Sequence, residues 1–185
     1  AVPWPAQGLY SKKAINSIDY LKGLKFRAYN SATIRIAELT GMAPTKIEAA
    51  EISQAFSTGA VESMITSPTT GKNSKIWENG VGYFYDIAAW FPKNMIIVNK
   101  DSWNKLDDAT KKLVMSEAAI AEKKGWELSK KGNVADKKAL SDAGMKVGKV
   151  NSALQKHFQK VGATMSEEWK KKAGSRGASV LAAYK

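Results

Sequence analysis

The chain has 185 residues, 44% of them hydrophobic and 25% charged, and it contains no cysteine. That composition excludes wholesale disorder, disulfides, thiolate metal sites and cysteine nucleophiles, and it suffices for a domain with a core of its own. The formal charge is +12, from 29 Lys+Arg against 17 Asp+Glu. The lysines are spread along the whole chain and the only arginines are Arg27, Arg35 and Arg176. A nucleic-acid reader concentrates charge on one face and uses arginine forks, so a solvated surface is the primary reading and a basic RNA-binding module, with the Lys-rich C-terminal helices as its footprint, the alternative.

Apolar and polar residues alternate in ways that mark successive elements. Ala1 to Tyr10, with Pro3 and Pro5, predicts an extended segment or edge strand. Ser17 to Lys22 predicts a helical turn closed by Gly23, and Leu24 to Tyr29 a strand. Asn30 or Ser31 then caps a helix that runs through Ile34, Ile36, Ala37 and Leu39 to Gly41. A strand over Ala43 to Ile47, a helix over Glu48 to Thr58 and a strand over Ala60 to Thr66 follow. Ser67 to Gly71 reads as a loop and leads to a short helix reaching Trp77. Tyr83 to Ile87 and Asn94 to Asn99 predict two more strands.

After Asn99 the pattern becomes helical. Asp107 to about Lys131 is one amphipathic helix with Leu113, Ile120 and Leu128 among its apolar positions. Gly132 is expected to interrupt it before a further helical stretch to about Asp142. Met145 to Val150 is a brief extended segment, and Ser152 to Lys172 a last helix carrying Leu154, Phe158, Val161, Met165 and Trp169. No apolar run approaches the ~20 residues that cross a bilayer. The order strand, helix, strand, helix, strand predicts an α/β fold with a mainly parallel sheet and long C-terminal helices. Ligands in such folds sit beyond the carboxyl ends of the strands, where Arg27, Thr66 and Trp90 fall.

Catalytic signals are poor. The single histidine, His157, has no serine and aspartate arranged around it and reads as structural or solvent-facing. No metal-ligand spacing or phosphate loop is present, so no metal and no cofactor is expected. Glu48 and Glu51 fit the first turn of a helix better than a catalytic pair. Trp103, Trp126 and Trp169 read as packing residues, whereas Trp4 and Trp90 fall in loops or at strand ends and are candidates for a site. Arg27 stands out, a guanidinium in the middle of an aromatic, apolar strand. Either a protein carboxylate neutralises it or an incoming anion does, and its planar fork matches a carboxylate.

At these residues the chain resembles a family. Asp19-Tyr20-Leu21-Lys22-Gly23-Leu24-Lys25-Phe26-Arg27 resembles the "DLKGLKIR" segment of the solute-binding proteins of tripartite ATP-independent periplasmic (TRAP) transporters. Ile47 to Phe56 with Gly59-Ala60-Val61-Glu62 is similar to its helix and "GVVDG" segment. Lys93 to Lys100, followed by Trp103 and Leu106, is similar to its strand-then-helix continuation. The resemblance runs from about Pro3 to near Lys131, and the remainder fits in element order.

The resemblance implies a periplasmic binding protein-like lobe and a binder, not an enzyme. Residues 1–100 would form the second α/β lobe, with 1–16 crossing the hinge, and 101–185 the helices packing across the lobes. An N-terminal lobe would be absent. The opening Ala1-Val2-Pro3-Trp4-Pro5 shows no signal-peptide pattern and reads as the middle of a longer protein. Helices without their natural partner would expose apolar faces, so the chain is expected to pair with an N-terminal fragment, to self-associate, or to be a cleavage product.

By the same resemblance, Arg27 is the arginine that clamps a substrate carboxylate. Thr66 stands at or near a position usually held by an asparagine, and Gln7 near one where many members have a second basic residue. Trp90, Phe91 and Trp4 would supply flat walls beside them, with Ser67 also at the site. These departures imply a monocarboxylate, such as an aromatic or branched 2-oxo or 2-hydroxy acid. The implied partners are that ligand and the membrane permease of a TRAP transporter, in the periplasm, without nucleic acid.

Overall fold

A sheet of six strands forms the centre of the molecule, a computed structural model that describes residues 1–183. The strands are β2 (Gly8–Ser11), β3 (Lys25–Ala28), β4 (Ala43–Lys46), β5 (Ser63–Thr66), β6 (Tyr83–Tyr85) and β8 (Lys146–Gly148). Their spatial order is β4-β3-β5-β2-β6-β8. β3 runs parallel to β4 and β5, and β6 parallel to β8, whereas β2 is antiparallel to both β5 and β6. The sheet is thus mostly parallel, as expected. The edge-strand alternative for the N-terminal stretch is corrected: β2 is a central strand with every residue buried. Pro3 and Pro5 precede it, so neither removes a donor from the ladder.

Alternate residues of β2 and β5 serve two cores, one on either face. Leu9, Phe26, Ala28 and Ile65 pack with Ile36, Leu154 and Val161 on one side. Tyr10, Met64 and Phe84 pack with Ile52, Phe56 and Leu140 on the other. The first core is covered by helix α1 (Ser31–Thr40) and by α6 (Ser152–Ala183), whose backbone leaves the helical region at Gly174. The second is covered by α2 (Ile52–Ser57), α3 (Pro68–Asn73) and the long helix α5 (Asp108–Asp142).

Local chemistry explains the boundaries. Asn30 and Thr33 form a reciprocal capping box at the start of α1, and Gly41 ends it in the left-handed region. Before α2, Glu51 accepts from the Glu48 N–H at 3.1 Å and Glu48 pairs with Lys46, so each carboxylate has a local structural role. The expected loop Ser67 to Gly71 is instead largely helical, because Ser67 caps the Thr70 N–H and Pro68 occupies the first turn. Gly132 does not interrupt α5 as expected. The ~1 kcal/mol that glycine costs in a helix is outweighed where Asp136, one turn on, bonds to Thr69 and Lys72 of α3.

One expected strand is mostly absent. Of Asn94 to Asn99, only β7 (Lys93–Asn94) pairs, antiparallel to β1 (Val2–Pro3). Met95 to Val98 are exposed, and α4 (Lys100–Asn104) follows. These side chains have the composition of a buried strand, but no sheet edge or helix covers them among the described residues. The first half of α5 is similar: Leu113, Met115, Ile120 and Leu128 are exposed, and Trp126 and Trp169 are only partly packed. Among the described residues no helix is long and apolar enough to cross a membrane.

Candidate functional site

β3 delivers Arg27 to the face of the second core, and Tyr29 follows just after the strand. Only 4% of Arg27 is accessible, yet no acidic side chain forms an ion pair with it among the described residues. Its Nε donates to the carbonyl of Ile47 at 2.9 Å, and its Cζ lies 4.6 Å from the centre of the Tyr29 ring. Glu48 is near enough to favour the charge, but it pairs with Lys46. Burial holds the guanidinium below its ordinary value, partly offset by Tyr29 and Glu48. It remains charged at neutral pH, a desolvated cation without a counter-ion.

Arg27 opens onto a cleft of about 210 Å³ beyond the carboxyl ends of β3 and β5, lined also by Trp4, Gln7, Tyr29, Ala49, Thr66, Thr70, Pro92 and Asn94. Several of these are fixed. Trp4 donates from Nε1 to Ser67 Oγ at 2.8 Å, and its backbone N–H to Pro92. Gln7 donates through Nε2 to the Pro5 carbonyl at 2.9 Å. Thr66 is buried beside Arg27's strand. The β1–β7 ribbon supplies Asn94 and, through its flanks, Trp4 and Pro92.

The sequence-predicted residues divide accordingly. Arg27, Thr66, Gln7 and Trp4 converge on the cleft. Ser67 does not line it but sits behind Trp4, capping α3. Trp90 lines a separate cavity, and its carbonyl accepts from the N–H of Gln7 at 3.0 Å beside the cleft. Phe91 projects outward, 66% exposed. Tyr29, Thr70 and Asn94 were not anticipated. Tyr29 was findable, because strand period places residues 27 and 29 on one face. Asn94 was not, because nothing local announces the β1 pairing.

An apolar-walled cleft with one buried cation and a few neutral polar groups can hold a small organic anion. Among the described residues no cluster of side chains could hold a metal ion. The single histidine, on α6, lies against Phe158.

Residues 6–172 match the family described as bacterial extracellular solute-binding protein, family 7. The fold is similar to a marine metagenome TRAP solute-binding protein specific for pyroglutamate, with a TM-score of 0.96 and 36% identity over 99% of this chain and 60% of that one. It is also similar to a Bordetella pertussis extracytoplasmic solute receptor binding pyroglutamic acid, with a TM-score of 0.95 and 39% identity over 99% of this chain and 60% of that one. In sequence, 107 residues are 30% identical to the sialic acid-binding periplasmic protein of Vibrio cholerae, covering 56% of this chain and 32% of that protein. The chain therefore spans less than two thirds of the length of each of these relatives. The nucleic-acid alternative finds no support in them. The match over residues 6–172 and the shared fold place this chain in family 7 of the bacterial extracellular solute-binding proteins.

Proposed function

We propose that the chain is part of an extracytoplasmic solute receptor of a TRAP transporter, working in the periplasm. It captures a small organic monocarboxylate and presents it to a membrane permease. The carrying observation is Arg27, a buried guanidinium with no acidic partner among the described residues, on the rim of a small cleft. An incoming carboxylate supplies the missing charge through bidentate, charge-assisted hydrogen bonds. No bond is made or broken, and closure over the ligand excludes water.

The neutral character of Gln7 and Thr66 disfavours a second carboxylate on the ligand, since an additional buried anion would lack a cation. Trp4, Tyr29 and Pro92 suit a flat or ring-shaped body. The relatives that bind pyroglutamate, a cyclic monocarboxylate, support this class. Calorimetric titration of the full-length protein with pyroglutamate, branched and aromatic 2-oxo acids and succinate tests it. Preference for one of the monocarboxylates is expected, and preference for succinate would refute it.

The exposed apolar side chains of Met95 to Val98 and of α5 form the surface against which a further lobe packs to complete the cleft. This chain in isolation should therefore associate, with itself or with that lobe. Light scattering that finds a monomeric species of about 20 kDa would count against this.

A further inference from the structure

The sheet carries a larger cavity on the face opposite Arg27. It measures about 500 Å³ and lies between α1, α6 and the sheet, with Ile36, Ile65, Ile87, Phe158 and Met165 on its walls. Consecutive residues of β5 line the two spaces, Ile65 the larger cavity and Thr66 the carboxylate cleft. Within the sheet the backbone divides them. Beyond the strand ends only side chains can.

Tyr29 lines the cleft and Trp90 the larger cavity, and the Trp90 side chain is a neighbour of the Tyr29 hydroxyl. The Trp90 backbone is held on the β2 side, where the Gln7 N–H donates to the Trp90 carbonyl at 3.0 Å and the Ala89 N–H to the Gln7 carbonyl at 2.9 Å. Tyr29 follows β3, and β5 lies between β2 and β3. The indole thus reaches over the carboxyl end of β5 to meet Tyr29. The loop that carries it includes Ala88 with φ 44°, an uncommon conformation for a residue with a Cβ.

We propose that the Trp90–Tyr29 pair is a partition that sets the length of acid the cleft accepts. A carboxylate on Arg27 extends its tail until it meets this pair, and the apolar space behind stays closed. Without the indole the two cavities join, and a straight alkyl tail runs from Arg27 into the space lined by Ile65, Ile87 and Phe158. Each methylene so buried improves affinity roughly fourfold. The proposal rests on the carboxylate reading above and adds to it a residue that determines specificity.

The test titrates full-length protein calorimetrically with pyroglutamate, butanoate, hexanoate and octanoate, using wild type, Trp90→Ala and Trp90→Phe. Wild type is expected to bind pyroglutamate and to gain nothing from chain lengths beyond butanoate. Trp90→Ala should bind octanoate at least tenfold more tightly than wild type does, and adding Arg27→Ala should remove that gain. Trp90→Phe, which keeps an aromatic ring but loses the N–H, should gain by a smaller factor and serves alone if the alanine variant does not fold. The partition is overturned if wild type binds pyroglutamate while neither variant changes the chain-length preference, or if the gain survives Arg27→Ala. Wild type that binds neither these acids nor the branched and aromatic 2-oxo acids overturns the carboxylate reading, and the partition with it, a separate outcome.

Discussion

Arg27 donates through Nε to the Ile47 carbonyl oxygen 2.9 Å away, and this bond decides which edge of the guanidinium is free. Among the described residues Nη1 and Nη2 make no hydrogen bond to protein, so the end-on fork is what faces the cleft. Among the described residues this buried cation has no acidic partner, a cost to stability that the proposed carboxylate ligand would offset. Arg27→Met removes the charge at similar volume and forfeits only the Ile47 bond. It should raise the unfolding free energy by about 1 kcal/mol or more without ligand, while abolishing binding. Urea denaturation checks the first effect and calorimetry the second.

The sheet and the buried arginine were legible in the sequence because each is a local pattern. Alternation, caps and glycine stops mark β3, α1 and β5, and an arginine within Phe26-Arg27-Ala28 is conspicuous by its chemistry. What was missed depends on non-local pairing. The central place of β2 is set by antiparallel partners more than fifty residues away. Met95 to Val98 look like a buried strand and are not one, since burial requires a covering surface that composition cannot supply. Phe91 and Trp90 were treated alike as walls. One faces solvent and the other the opposite side of the sheet, a difference set by the turn at Ala88.

Tyr10 is fully buried, its hydroxyl donating to the Ser67 carbonyl at 3.0 Å. Burial, with the nearby Asp136 carboxylate, pushes its ionisation well above the ordinary value. The unfolded chain therefore loses this proton first as pH rises. The stability contribution is complete below about pH 10 and is lost above it at ~1.4 kcal/mol per pH unit until the folded protein also ionises. Tyr10→Phe should flatten that part of the alkaline decline, seen as a shallower fall of the denaturation midpoint between pH 9.5 and 11 than in wild type.

Gly71 of α3 lies against the Tyr10 ring. A Cβ there would overlap the hydroxyl and Cζ of Tyr10, a side chain without room to retreat. Alanine improves helix propensity by ~1 kcal/mol, but overpacking costs about 1–3 kcal/mol and is expected to prevail. Gly71→Ala should lower the thermal midpoint. An unchanged or higher midpoint would show that α3 can shift away from β2.

Asp136 ties α5 to α3, accepting from Thr69 Oγ1 at 2.6 Å and Lys72 Nζ at 2.5 Å while almost wholly buried. α3 also carries Thr70 at the cleft, so this contact joins the long helix to the site. Lys72 is partly exposed and can turn to water when its partner is lost. Asp136→Ala should therefore cost about 2–3 kcal/mol, the value of hydrogen bonds to a charged group. Denaturant unfolding of the variant measures it, and a cost below 0.5 kcal/mol would contradict the assignment.

Calorimetric titration of the full-length protein with pyroglutamate, in wild type and in Arg27→Ala, bears most directly on the whole account. Binding by wild type and a loss of about 2–5 kcal/mol in the variant, roughly thirtyfold or more in affinity, is the expected result. Arg27→Ala that stays folded and binds pyroglutamate as tightly as wild type would contradict it.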